Sequence, residues 1–158
     1  LFQTSMKHYS TLQNTQNLNN YLRHFHNMKT ILVDAVNTSI IKNEIGNFVQ
    51  NKALFELLET YPNPKLIVTN ANDEQMVQFG LNTVPYPVFT MKHAPDKPDP
   101  LYFKTLLERH NLTTTDVVYF EHNQDAVNSA KSLGVVTYNY NKDTKDLIAL
   151  KQFLDLSL

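Results

Sequence analysis

The chain has no cysteine. That removes disulfide scaffolds, thiolate zinc sites and cysteine nucleophiles together, and it fits a reducing compartment such as the cytoplasm. Glycine is nearly as scarce, at 3 of 158 residues. No G-x-G-x-x-G or Walker pattern occurs, which argues against a glycine-rich nucleotide loop. No apolar run approaches the roughly 20 residues needed to cross a bilayer. The longest, such as Thr30–Val33 and Leu66–Val68, are short and β-branched, like buried strands. Neither sign of charge dominates, with 14 Lys and Arg against 15 Asp and Glu. Bulk charge therefore gives no strong nucleic-acid signal and no membrane signal, and leaves only a local basic patch to consider.

Acidic residues are also absent from positions 1–33, and Leu12–Asn20 is dominated by Gln, Asn and Thr. Residues 1–27 read as an N-terminal extension, either an accessory helix across Asn17–His26 or a frayed tail. The opening Leu1-Phe2-Gln3 ahead of Met6 has the look of a vector or protease-site remnant, and Met28 could serve as an alternative start. His24 and His26 suggest a metal pair to the eye, but in so Asn-rich a stretch they read as surface decoration.

What is present fits one domain over residues 28–158. The hydrophobic share of 42% is ample for a single core at this length. Short apolar runs at Thr30–Val33, Lys65–Val68, Val88–Thr90, Val117–Phe120 and Val135–Tyr138 predict five strands. Between them fall helical patterns over Asn47–Thr60, from Asp73 to a stop at Gly80, from Asp99-Pro100 onward, over Gln124–Leu133, and from Asp146 to Leu156. Strands that are apolar on both faces and alternate with helices predict a three-layer α/β/α, Rossmann-like domain around a parallel five-stranded sheet.

In such sheets ligands bind beyond the carboxyl ends of the strands. Asp34, Ala35, Val36, Asn37 and Thr38 follow the first strand, and Thr69 and Asn70 the second. Lys97 lies past the third, and Glu121, His122, Asn123 and Asp125 follow the fourth. Carboxylates, a hydroxyl and an ammonium on one rim can hold a divalent cation and an oxyanion together.

At these positions the chain resembles the haloacid dehalogenase (HAD) superfamily, over about Met28 to Leu156. Ile31-Leu32-Val33-Asp34 matches its first motif, an apolar strand ending in the nucleophilic Asp of D-x-D-G-T. Ile67-Val68-Thr69-Asn70 matches the second, and Lys97-Pro98-Asp99-Pro100-Leu101-Tyr102-Phe103 the K-P-D-P-x-x-F form of the third. Val118-Tyr119-Phe120-Glu121-His122-Asn123, with Ala130-Lys131-Ser132-Leu133-Gly134 downstream, follows the fourth. The resemblance implies a hydrolase in which Asp34 attacks phosphorus and carries an aspartyl phosphate. Thr69 and Lys97 would hold the phosphoryl group, with Asn70 and Asn37 beside it. Mg²⁺ would be bound by Asp34, the Val36 carbonyl, and Glu121 or Asp125. It also implies a phosphorylated small molecule or macromolecule as partner.

The chain departs from that pattern at three places. Val36 stands where the family's second Asp, its general acid, is expected; such help is typically worth about 10²–10⁴ in rate. Asn37 replaces the usual Gly, and Asn tolerates positive φ better than most residues. Glu121 and His122 replace a common acidic pair. His122 reads as a polar rim residue rather than a ligand, since imidazole is a poor partner for Mg²⁺. Residues 35–68 and 71–96 are too short for a cap domain, so the resemblance implies an open, capless site. Two functions follow. One is a Mg²⁺-dependent phosphoryl-ester or acyl-phosphate hydrolase, weak for want of its acid. The other is a non-catalytic relative that binds a phosphorylated ligand or a protein partner.

Overall fold

The computed structural model describes residues 28–158, and the expected helix over Asn17–His26 and the His24, His26 pair lie outside them. Seven strands and five α-helices follow in order: β1 Thr30–Asp34, β2 Ile40–Lys42, β3 Phe48–Gln50, α1 Lys52–Glu59, β4 Lys65–Thr69, α2 Asp73–Gln78, β5 Val88–Thr90, α3 Pro100–Arg109, β6 Val117–Glu121, α4 Gln124–Ser132, β7 Val136–Asn139 and α5 Leu147–Ser157. The main sheet has five strands in the order β5-β4-β1-β6-β7. Every pairing in it is parallel.

Alternation along the central strand divides the core in two. Ile31 and Val33 face one cluster, with Leu54, Phe55 and Leu58 of α1 and Leu150 and Leu154 of α5. Leu32 faces the other, with Tyr102, Phe103, Leu106 and Leu107 of α3 and Ala130 of α4. Strand residues that are fully buried on both faces require a helical layer on each side, which gives the three layers. The helix starts are chemically marked. Asp99 accepts from Leu101 N–H ahead of Pro100, and Asn72 and Gln75 form a reciprocal capping box at α2.

One helix departs most from the sequence expectation. The helix expected across Asn47–Thr60 begins only at Lys52, because Phe48–Gln50 pairs antiparallel with Ile40–Lys42 as a hairpin. Asn43 makes the turn: its Oδ1 accepts from Ile45 N–H and Asn47 N–H, and Gly46 takes φ +84°. An Asx turn closed by a left-handed Gly is a hairpin signal, but the apolar spacing beyond it mimicked a helix face. The hairpin is tied down next to β1. Asn51 donates from its backbone N–H to Ser39 C=O and from its side chain to Thr38 C=O.

β1 lies between β4 and β6, so the sheet changes its direction of winding there. The chain runs outward from β1 to β4 and β5 and then crosses to the other side of β1 at β6, and a crevice opens at the carboxyl end of β1. Asp34, Thr69 and Glu121 are the last residues of these three adjacent strands.

Candidate active site

The crevice is a cavity of about 190 Å³ whose walls include Asp34, Val36, Thr69, Asn70, Lys97, Glu121 and His122. Its floor is charged and almost sealed from water. Asp34 is 1% exposed, Glu121 0% and Lys97 6%. The Lys97 ammonium donates to Asp34 Oδ1 and to Glu121 Oε2, both at 2.5 Å. His122 Nδ1 lies 2.6 Å from Asp34 Oδ2 and 3.0 Å from Glu121 Oε1. Two carboxylates therefore face two basic side chains. Ions this deep persist only when paired and fully hydrogen-bonded.

The rest of the local structure completes that requirement. Thr38 Oγ1 donates to Asp34 Oδ2 at 2.6 Å, Asn123 N–H donates to Glu121 Oε1 at 2.9 Å, and the Tyr119 hydroxyl donates to Glu121 Oε2. Thr38 reaches back because the chain turns sharply after β1. Asn37 takes φ +69°, as the Gly-to-Asn argument expected, and Ser39 Oγ bonds the Asp34 carbonyl. Lys97 is aimed by Asn70, whose Oδ1 accepts its backbone N–H at 2.8 Å. Thr69 is set by Tyr102, whose hydroxyl donates to Thr69 C=O and accepts from Thr69 N–H.

Burial alone would raise the Asp34 carboxyl, but Lys97 and then His122 outweigh it and hold Asp34 well below the usual carboxylate range. Burial likewise opposes the Lys97 charge, and Asp34 and Glu121 overcome it, raising the ammonium above its ordinary value. Burial also works against His122. Its contacts with Asp34 and Glu121 prevail and push it up to about 9.

The structure brings Asp34, Val36, Thr69, Asn70, Lys97 and Glu121 to one cavity wall. It does not bring Asp125 there. Asn123 takes the cap of α4, Ala126 and Val127 turn inward, and Asp125 is left exposed in the first turn. Asn37 stands beside the cavity rather than in its lining, with Nδ2 3.3 Å from His122 Nε2. Two participants were underrated in sequence. His122 is part of the charged floor, and Thr38 bonds the Asp34 carboxylate directly. The position of Thr38 in the D-x-D-G-T pattern was the available signal. His93 also lines the cavity, and no motif pointed to it.

A divalent cation fits the donor set. One ligand atom from each of Asp34, Glu121 and His122 lies within 4.8 Å of the others. Two buried carboxylates suit a hard cation; the imidazole, held protonated by those carboxylates, would join them only after losing its proton, and then suits a transition ion better.

No protein-family model and no curated protein sequence matches the chain. Solved structures do match. One is a HAD family enzyme from Bacteroides thetaiotaomicron, an aspartate-to-alanine mutant in complex with magnesium and inorganic phosphate. It aligns at a TM-score of 0.57 and 14% identity, over 73% of this chain and 95% of that one. The fold is HAD-like. A second match is the core domain of a protein from Streptococcus pneumoniae assigned provisionally as a phosphoglycolate phosphatase. It aligns at a TM-score of 0.53 and 13% identity, over 81% of this chain and 96% of that one. The charged floor lies where β1 and β6 end because Asp34 and Glu121 are the last residues of those strands. No helix among the described residues is long and apolar enough to cross a membrane.

Proposed function

We propose that this HAD-like protein hydrolyses phosphate monoesters or acyl phosphates through an aspartyl phosphate on Asp34. The observation that carries the reading is the buried Asp34 carboxylate, ionised and hydrogen-bonded at the cavity floor. A carboxylate has about four lone-pair sites. In the ion-free site Lys97, Thr38 and His122 engage three of them, which orients the group; a bound cation would take the place of one basic side chain, so that a lone pair remains for attack. Covalent capture splits one difficult displacement into two easier ones. Lys97 and the Thr69 hydroxyl supply positive charge and a hydrogen bond to the phosphoryl oxygens. Asn70 acts by fixing the Lys97 backbone, and Asn37 by holding the left-handed turn beside His122. A Mg²⁺ ion held by Asp34, the Val36 carbonyl and Glu121 would neutralise charge on the transferring group. The match that carries magnesium and inorganic phosphate supports that ligand chemistry. We read the site as uncapped, because the β2–β3 hairpin with α1 and the short α2 fill the two segments where a cap would be inserted. An open cavity accommodates a phosphorylated macromolecule as well as a small molecule.

A second reading has its own observation. Lys97 and His122 already balance Asp34 and Glu121, and Val36 offers no proton, which suits a domain that binds a phosphorylated ligand or a protein partner without turning it over. Turnover of acetyl phosphate and p-nitrophenyl phosphate in Mg²⁺, beside an Asp34→Asn control, separates the two. Saturable turnover that the substitution abolishes supports the hydrolase. Equal rates in the two proteins remove Asp34 as nucleophile, and ligand-induced stabilisation without turnover supports the binding domain.

A further inference from the structure

Val36 leaves the proposed reaction without a proton for the leaving group. Among the described residues lining the cavity, the titratable side chains are Asp34, Glu121, Lys97, His122 and His93. Lys97 and His122 are committed to the two buried carboxylates. His93 touches neither of them. Its side chain is 43% exposed, so it stands toward the solvent side of the cavity while Asp34 lies at the floor. A substrate whose phosphorus meets Asp34 directs its leaving group outward, toward that side.

The hydrogen bonds around His93 orient its ring. Nδ1 lies 2.8 Å from Asp96 Oδ1, and a carboxylate oxygen accepts. Nε2 lies 2.6 Å from Gln75 Oε1. That atom is fixed as oxygen because it also accepts the Asn72 backbone N–H at 3.0 Å, within the capping box of α2. Both partners are oxygens, so each ring nitrogen has an acceptor to donate to, and a proton on Nε2 would be the one available for transfer. The backbone is shaped to present it. Lys92 and His93 are consecutive non-glycine residues at φ +50° and +66°, a left-handed pair that persists only where its surroundings impose it. Thr90 Oγ1 accepts the Lys92 N–H at 2.9 Å, and the Lys92 ammonium lies 2.8 Å from Asp73 Oδ1 on α2. The charged groups around the ring are thus Asp96 and Lys92 on its own turn and Asp73 on α2.

We propose that His93 is the general acid for the leaving group, in place of the carboxyl missing at Val36, with Asp96 and Gln75 as its positioning residues. The proposal rests on the aspartyl-phosphate reading. An Asp34 oxygen bonds to phosphorus as the bond from phosphorus to the leaving oxygen breaks. The departing electron pair takes the proton from His93 Nε2, which moves from Gln75 to the leaving oxygen, while Nδ1–H stays on Asp96. In the second half a water oxygen bonds to phosphorus, its proton returns to Nε2, and the Asp34 carboxylate is released with inorganic phosphate.

The test is leaving-group dependence. The variant is His93→Asn, because Asn tolerates the left-handed backbone, with Asp96→Asn as a second variant and unfolding midpoints as the folding check. Both are assayed on acetyl phosphate, p-nitrophenyl phosphate, phenyl phosphate and a primary alkyl phosphate. His93→Asn is expected to lower kcat/KM for the alkyl ester by about 10²-fold or more and to leave acetyl phosphate little changed. Asp96→Asn is expected to show the same gradient, attenuated. A loss that is uniform across the series, or no loss, overturns the proposal while leaving Asp34 as nucleophile. Absence of Asp34-dependent turnover in the unmodified protein overturns the underlying reading, and this proposal with it.

Discussion

The Lys97 ammonium lies 2.5 Å from the Asp34 carboxylate, although the two residues stand 63 positions apart in sequence. Both are more than nine-tenths buried, and Glu121 sits on the other side of the same ammonium. None of these charges is stable there alone. Replacing Lys97 with Met is therefore expected to destabilise the fold by about 3–5 kcal/mol, the usual result of stranding a buried partner. Here two acids are stranded. Urea unfolding gives the comparison. The Lys97→Met, Asp34→Asn double variant should lose less than the sum of the single losses, because removing one acid relieves part of what the first substitution exposed. Additive losses would mean that the two side chains do not interact.

His122 gives a pH dependence with a definite sign. Its folded value is raised from 6.5 to about 9, so its contribution to stability is fully present below 6.5 and is lost as pH rises through 9. In protein stripped of divalent ions, the unfolding midpoint should fall across that window, and His122→Gln should flatten the fall. Asp34, held below its ordinary value, works at the other end. Its contribution is present above 3.8 and is lost on strong acidification. A midpoint that is level from 6.5 to 9 in the unmodified protein would contradict the contacts drawn for His122.

The sheet and its occupied edge were legible because their signals are local. Apolar β-branched runs ending in Asp34, Thr69 and Glu121 are short-range patterns, and five such runs alternating with helices specify a parallel sheet. β1, β4 and β6 run one residue further than expected, so Asp34, Thr69 and Glu121 are strand termini rather than the residues after them. The β2–β3 hairpin was not legible, because three-residue strands offer too few positions for alternation to show, and Phe48 fell in phase with the apolar face of α1. Asp125 misled for a related reason. Spacing placed it near Glu121, but the cap by Asn123 sets a helical phase that turns it outward. His93 depended on a left-handed turn in a stretch without glycine, which residue preferences argue against.

Gly46 closes the hairpin at φ +84°, and a Cβ built there meets nothing within 4 Å. Gly46→Ala therefore tests backbone conformation alone. The left-handed region costs an L-residue about 1–2 kcal/mol, and the loss in unfolding free energy should fall in that range. No change would mean that the turn relaxes freely, and then the hairpin does not hold the Thr38–Ser39 segment against Asp34.

Ligand chemistry at the floor is tested by exchanging its imidazole. Nδ1 of His122 stands between Asp34 and Glu121, where an oxygen donor would suit a hard cation better. His122→Asp should bind Mg²⁺ more tightly than the unmodified protein by titration calorimetry, and should be less stable without the ion because three acids then share one ammonium. Glu121→Gln should weaken binding in either background. If His122→Asp leaves Mg²⁺ affinity unchanged, the imidazole is not in the cation's coordination sphere, and Asp34, the Val36 carbonyl and Glu121 hold it without His122.

The two positions that bear on the missing proton can be set against each other. Val36→Asp restores a carboxyl to the turn after β1, on a half-buried residue that lines the same cavity. If nothing else supplies the proton, the gain on an alkyl phosphate should approach the usual general-acid contribution of about 10²–10⁴. If His93 already supplies it, the gain in the unmodified background should be small, and the same substitution should restore most of the activity lost in His93→Asn. Two groups that serve one proton transfer are non-additive, whereas residues acting at separate steps multiply. Equal gains from Val36→Asp in both backgrounds would assign His93 some other work, such as holding the turn over α2. A gain confined to the His93→Asn background would place both residues at the same bond.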